Sequence, residues 1–448
     1  MKQLALLVLT PCLFLSGCIA YQPQPLAPQK SFQTLNSYKL DDPILMKQLE
    51  KEYPQYQWPA SHWSLDQLDL IAEKIHPNIG YAEAQYKQAM AEFYQSRQRP
   101  NPALNASIEH TNKPNEEQST WKKGAGLEIL IETAGKRDAK QQLAAQKVAI
   151  ARTEVVDAKW QLRKQIRDAL LQLNESMQTE KNLKQQLDNV NQSMLAMQKR
   201  VSVGSATRSE QLAFNSQLFA IRQQLNNVAQ NESTAMHALA TALGVTPNSV
   251  ENLSIQWIPN EIKISLPQIS TYQIIQSRAD VQAAMAEYAI SDANLRLEVA
   301  NQYPDVTLSP GLTWDAQSFI WSLASNLVLP VFHNNRPAID AADAARLASR
   351  KKFESLQLSV RNTLDQAIDA EKLAKEQVKQ AQAAVQIAQK RKAAAERAFK
   401  AGAIDKLQRL DSENILLLEQ ANGIKSFFAY ANAVAALEDA QQIPVSSF

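Results

Sequence analysis

Arg200-Val201-Ser202-Val203-Gly204-Ser205-Ala206-Thr207 closes a run of 68 residues, 136–203, that contains neither glycine nor proline. As a single helix rising 1.5 Å per residue, such a run spans roughly 100 Å. Upstream of the lone glycine, Leu183, Leu187, Val190, Met194, Met197 and Val201 follow a 4,3,4,3,4 spacing. Beyond it Leu218, Ile221, Leu225, Val228, Ala235, Leu239 and Ala242 keep the same phase. A seven-residue repeat on both sides of a tight turn predicts two antiparallel helices packed as a coiled coil, with Met194 and Met197 in its core. Gly204 suits the left-handed residue that ends the first helix, and Ser205 or Thr207 can cap the second.

The pattern occurs twice. Arg397-Ala398-Phe399-Lys400-Ala401-Gly402-Ala403-Ile404-Asp405 closes a second run free of glycine and proline, 338–401, in which Val378, Ala381, Val385 and Ala388 hold the heptad and Asp405 is placed to cap. His76-Pro77-Asn78-Ile79 aligns with Arg278-Ala279-Asp280-Val281 at an offset of 202, and Pro102-Ala103-Leu104 falls on Pro304-Asp305-Val306. The tip glycines align at 198, with Leu212 on Leu410, Leu218 on Leu416 and Leu239 on Leu437. A duplication of about 200 residues is far too long for a small-repeat solenoid. It divides the chain into residues 1–17, an N-terminal segment 18–63, a first repeat 64–245, a linker 246–265, a second repeat 266–443 and a tail 444–448.

Between the shorter and the longer helix of each repeat the period changes from 3.5 to two. Leu104, Ala106 and Ile108 alternate with Asn105, Ser107 and Glu109; after a polar loop, Ala125, Leu127, Ile129 and Ile131 alternate with Gly124, Gly126 and Glu128. Val306, Leu308 and Leu312, then Trp321, Leu323, Leu327 and Leu329, do the same in the second repeat. Period two with one apolar face predicts strands at about 103–110, 123–131, 305–314 and 319–329. Each has roughly the 9–11 residues that a tilted strand needs to cross a bilayer. Trp121, Trp314, Phe319 and Trp321 cluster near the loop ends and Tyr303 lies at the other end, the distribution of two aromatic girdles. Four strands cannot close a membrane barrel, whose minimum is about eight, and lipid tolerates no open edge, so copies must join through their strands.

Composition excludes much else. The 448 residues carry 47 Lys and Arg against 45 Asp and Glu, which disfavours a nucleic-acid partner. Only 10 glycines are present, and Gly124-Ala125-Gly126 and Gly135-Lys136 lack the remaining residues of nucleotide loops. No zinc-protease or nucleophile-elbow signature is found, so the reading is non-enzymatic and without cofactor. His62, His76, His110, His237 and His333 are too scattered for a metal cluster. Both cysteines, Cys12 and Cys18, lie at the start. Lys2, the apolar run Leu4 to Leu15, and Leu15-Ser16-Gly17-Cys18 read as a lipoprotein signal cut before Cys18, which is then acylated. Ile19 rather than Asp after that cysteine points to an outer-membrane anchor facing the periplasm.

Helix, strand, strand, long helix, Gly turn and helix, performed twice behind a lipobox, resembles the TolC-type outer-membrane efflux family. Arg278-Ala279-Asp280-Val281, Tyr303-Pro304-Asp305 and Leu329-Pro330-Val331-Phe332 are local matches. The resemblance implies a mainly helical homotrimer, with a twelve-stranded β-barrel in the outer membrane on a long periplasmic α-helical barrel. It also implies tips, at Arg200, Gly204, Thr207, Gly402 and Asp405, that dock on a periplasmic adaptor joined to a proton-driven inner-membrane pump. Asp411 matches an aperture acid of the family, Glu210 holds a comparable site in the first repeat, and Gln408 stands where another carboxylate is common. Glu132-Thr133-Ala134-Gly135-Lys136-Arg137 is similar to the heavy-metal cation branch, with Ala134 where glycine is usual. Drug exporters share much of this, so metal cations and drugs both remain as cargo. An adaptor lipoprotein also carries a long hairpin, but only one, and the duplication disfavours it.

Overall fold

The structure, a computed structural model, describes residues 19–112, 120–251, 270–316 and 318–444. Four helices lead in: α1 (Pro28–Ser37), α2 (Pro43–Glu52), α3 (Leu65–Ile75) and α4 (Pro77–Ser96). Three of them begin on a proline, whose missing N–H falls where a helix has no internal acceptor anyway. Strands β1 (Ala103–His110) and β2 (Trp121–Ile131) follow, then the long helix α5 (Lys136–Ser202) and the return helix α6 (Arg208–Leu243). A short turn lies at Pro247–Ser249, and in the second half α7 (Thr271–Ser277), α8 (Ala279–Ala300), β3 (Val306–Asp315), β4 (Ser318–Leu327), α9 (Arg336–Lys400) and α10 (Lys406–Gln441) repeat the order. The long helices have 67 and 65 residues and both return helices have 36, so the duplication is a duplication of structure.

The N-terminal helices are short and borrow their stability. Met46 and Leu49 of α2, and Leu65, Leu68 and Ile71 of α3, pack with Leu162, Ile166 and Leu170 of α5 and Leu239 and Leu243 of α6 in one buried cluster. Helix α1 is exposed on every side chain described.

A symmetric device closes each repeat. His76, just before α4, sets Nε2 at 3.3 Å from the Thr241 carbonyl at the end of α6. At the aligned position, Arg278 donates to the Asp439 carbonyl at 3.2 Å and to that of Ala440 at the end of α10. Both groups reach carbonyls in the last turn of a helix, where the amide donors of the helix interior run out.

The four strands form one antiparallel meander in the order β1-β2-β3-β4. The central pairing joins the repeats: Ala125 lies opposite Leu312, Ile129 opposite Leu308 and Ile131 opposite Val306. Beside the sheet the helices stand in the row α4-α5-α8-α9; towards the tips the row is α6-α5-α10-α9. The chain is therefore an open wall. One lateral edge is β1 with α4 and α6, and the other is β4 with α9.

Candidate functional site

The register gives the sheet two unlike faces. Leu104 pairs with Leu127, Ala106 with Ala125, Leu312 with both Ala125 and Trp321, and Trp314 with Phe319, so all of these share one face. The opposite face carries Asn105, Ser107, Gly124, Gly126, Thr313, Gly311, Ser322 and Asn326. The polar face is crowded: a Cβ on Gly124 would stand 2.5 Å from Ser107 Oγ, and one on Gly311 2.9 Å from Ser322 Oγ. Glycine therefore lets the sheet curl towards its polar side, as a barrel wall lined by polar groups must. Trp121 opposes His110 with ring centroids 4.4 Å apart, and with Trp314 and Phe319 it marks the turn end. Trp321 lies one pair further in on that face and is 81% exposed. Tyr303, at the other end, is also exposed.

Two of the sequence motifs meet where the sheet joins the helices. Asp305 accepts from the Thr133 amide at 3.0 Å and from Lys136 Nζ at 2.7 Å, while the Thr133 hydroxyl donates to the Pro304 carbonyl at 2.8 Å. Burial opposes ionisation of Asp305, but Lys136 and the Thr133 amide outweigh it and hold the carboxyl below its ordinary range. Ala134 sits at φ +53° in the left-handed region, which explains why glycine suits this position. The sequence reading singled out both segments without pairing them. Their signal was a Lys and an Asp of opposite charge, each beside a strand end.

At the far end Gly204 and Gly402 adopt φ +76° and +75°. Ser205 N–H reaches back to the Arg200 carbonyl at 2.8 Å and Ala403 N–H to that of Ala398 at 2.9 Å, closing both helices alike. Of the two cap candidates Thr207 takes the position and Ser205 does not; Asp405 caps α10 through the Gln408 amide. Arg200 forms an ion pair with Asp405, so the two tips touch through two of the residues that the sequence singles out. Glu210 is a capping partner: its Oε2 accepts from the Thr207 amide at 2.7 Å and from the hydroxyl at 3.0 Å, which keeps its carboxyl below the usual range. Asp411 lies 3.4 Å from Arg391 of α9, both side chains being more than half exposed. A groove of about 770 Å³ beside it is lined by Met197, Phe214, Ile404 and Leu407 as well as Arg391 and Asp411.

Sequence reasoning missed a buried ionic link between the repeats. Arg167 of α5, 2% exposed, donates to the fully buried Glu438 at 3.1 Å and to Asp439 at 2.9 Å, with Lys164 2.6 Å from Asp439. A charge in heptad surroundings reads as solvated face, and only the partner helix, about 270 residues away, reverses that reading. Cys18 and the linker residues 252–265 lie outside the described residues. Among the described residues no helix is long and apolar enough to cross a membrane, and no group of three His, Cys, Asp or Glu is placed to hold a metal ion.

Comparison with known proteins gives a consistent picture. A family model described as Outer membrane efflux protein matches residues 71–245 and 271–441. The pyoverdine export outer membrane protein OpmQ of Pseudomonas aeruginosa is 22% identical over 309 residues, 62% of this chain and 64% of that protein. The cobalt-zinc-cadmium resistance protein CzcC of Cupriavidus metallidurans is 24% identical over 280 residues, 60% of this chain and 64% of that protein. The chain thus spans somewhat less than two thirds of either curated relative. The crystal structure of the outer membrane protein VceC from Vibrio cholerae superposes with a TM-score of 0.69 at 18% identity, covering 86% of this chain and 99% of that one.

Proposed function

The chain belongs to the outer membrane efflux protein family, and on that premise we propose that it is a lipid-anchored homotrimeric channel, the exit duct of a tripartite efflux pump. The observation that carries this reading is the match between the two lateral edges. Strand β4 ends one edge and β1 the other, each with a free row of backbone groups that hydrocarbon would leave unsatisfied. Below them α9 exposes Leu347, Leu358, Leu373 and Ile387, and the opposite edge exposes Tyr81 and Tyr94 on α4 and Leu212 and Phe219 on α6. Spacings of 11, 15 and 14 residues put the four α9 side chains on one helical face. Unlike edges that fit head to tail generate a ring, and a ring pairs every strand. Three copies give twelve strands, the number that the resemblance implies.

Transport through such a ring is passive, and no residue here supplies energy. The tips, with Arg200, Gly204, Thr207, Gly402 and Asp405, dock on a periplasmic adaptor bound to a proton-driven inner-membrane pump. Asp411 faces the aperture in this reading, supported by its exposure near the tip; Glu210 serves that end as a cap. The two curated relatives are named for different things, pyoverdine export and cobalt-zinc-cadmium resistance. That contrast supports a duct whose cargo, metal cation or drug, is chosen by the pump.

Planar-bilayer recording tests the channel. Purified protein reconstituted as an oligomer is expected to give single-channel currents in units of three chains; a silent protein, or one that stays monomeric in detergent, overturns the reading.

A further inference from the structure

Lys122 and Lys123 are neighbours in sequence and opposites in setting. Lys122 lies on the polar face, 3.0 Å from Asp315 Oδ2. Lys123 lies on the apolar face between its cross-strand neighbours Ile108 and Trp314, with Nζ 5.6 Å from the centre of the Trp314 ring. Among the described residues no carboxylate comes within ion-pair distance of it. The rest of that face is Leu, Ile, Val, Ala, Phe, Trp and Pro, with one Ser and with His110, so Lys123 is its one formal charge.

Under the channel reading, on which this inference rests, that face meets lipid. A lysine there costs about 2–4 kcal/mol at the bilayer midplane but only about 0–1 near the interface. Lys123 stands two residues inside the start of β2. At about 3.4 Å per residue and a tilt of about 45°, that places it roughly 5 Å below the turn end. Its stem can lie along Trp314 while the ammonium rises to the headgroups, and the indole face adds a favourable cation–π contact. Phe319 beyond Trp314, and His110 and Trp121 in edge-to-face contact one pair nearer the turn, frame the same spot.

A cation with no carboxylate in reach among the described residues, held at headgroup depth in an aromatic frame, has a natural counter-ion. We infer that Lys123 and these rings form a site, one per chain, for the phosphate of an anionic lipid in the leaflet at the turn end of the barrel. The rings bear on the acyl boundary and the ammonium on the phosphate.

Native mass spectrometry of the detergent-solubilised oligomer tests this, with bisphosphorylated lipid A and phosphatidylcholine as probes. Wild type is expected to retain lipid A in preference to phosphatidylcholine. Lys123→Gln should weaken retention about tenfold, the worth of one charge-assisted contact. Lys123→Arg and Lys122→Gln should both retain it, and excess inorganic phosphate should not displace it. Equal retention by Lys123→Gln, equal loss in Lys122→Gln, equal binding of phosphatidylcholine, or displacement by inorganic phosphate each overturns the site. The same preparations are assayed for conductance. A conducting oligomer with unchanged retention in Lys123→Gln sinks the lipid site alone, whereas an oligomer that never conducts sinks the channel reading.

Discussion

Helix α5 meets its two long neighbours through seams of opposite character. Against α6, its partner in the same hairpin, Leu183, Leu187 and Val190 pack on Leu218, Ile221, Leu225 and Val228 with Phe214. Against α10, from the other repeat, the same stretch presents Asn182, Gln186, Asn189 and Ser193, all buried. Asn182 donates to the Leu417 carbonyl at 3.1 Å and Asn189 to that of Leu410 at 3.2 Å. The first seam is held by area removed from water, the second by single hydrogen bonds whose net worth is about 1 kcal/mol each. The second also weakens along its length. At its end farthest from the tips it has Leu171 on Phe428, Ala431 and Ala435 together with the Arg167–Glu438 pair; midway it has amides; at the tip it has one half-exposed ion pair. Each hairpin is thus a stiff unit, and the two are clamped halfway along the long helices and loosely tied at the tips, the end at which the proposed channel opens.

The clamp is where this contrast breaks most visibly. Arg167→Met leaves Glu438 buried without its cation and should cost about 3–5 kcal/mol, whereas Arg167→Met with Glu438→Leu should recover most of it. Hydrogen exchange across 434–441 is the measurement, and a double variant as loose as the single one would show that packing rather than charge makes the clamp. Leu183→Ala in the dry seam should cost about 2–5 kcal/mol through lost burial and the cavity left behind. Faster exchange should stay within α5 and α6; spread into α10 would contradict the separation of the seams.

These two sites also show what the sequence can and cannot express. The dry seam is legible because both its sides follow one local period, and so are the strands, where alternation of two residue types records the two faces. The turns at Gly204 and Gly402 are legible because only one residue type takes a positive φ freely. Arg167, Asn182 and Asn189 are not: a polar residue on a long helix looks solvated until a helix more than 220 residues later in the chain covers it. The same reason hides the clip of Lys136 and Thr133 on Asp305. The capping role of Glu210 is legible, since the Thr207-x-x-Glu210 spacing is that of a capping box.

A third contact of α5 makes the contrast sensitive to pH. Arg163 lies 3.3 Å from Asp69 and 2.8 Å from Asp66 of α3. Burial, reinforced by Glu73 and opposed by Arg163, pushes the Asp69 carboxyl up to about 6. The folded chain then binds this proton more tightly than the unfolded one, so stability falls as pH rises from about 4 to about 6, by at most roughly 3 kcal/mol. Asp69→Asn should flatten that slope in denaturant melts taken across the range; an unchanged slope would assign it to other groups. A smaller effect is expected midway along the polar seam. Asn189→Leu removes the side-chain donor that tops the helical bond to the Leu410 carbonyl and should cost about 1 kcal/mol, a factor of roughly five in exchange at 406–417. Exchange in α6 should not move, and if it does, the two seams are one cooperative unit.

The tip pair should matter least for stability and most for geometry. Arg200 and Asp405 are each about two fifths exposed, with side chains at 43% and 40%, and pairs of that kind contribute about 0–1 kcal/mol. Arg200→Gln should therefore leave melting unchanged while broadening the distance between spin labels placed at Ser205→Cys and Ala403→Cys. Salt separates this from a packing effect: at about 1 M the Debye length falls to about 3 Å, and the wild-type distribution should widen to match the variant. A wild-type distance that stays narrow at high salt would mean that the tips are held by something other than this charge pair. The coupling between the hairpins would then no longer weaken towards the tip.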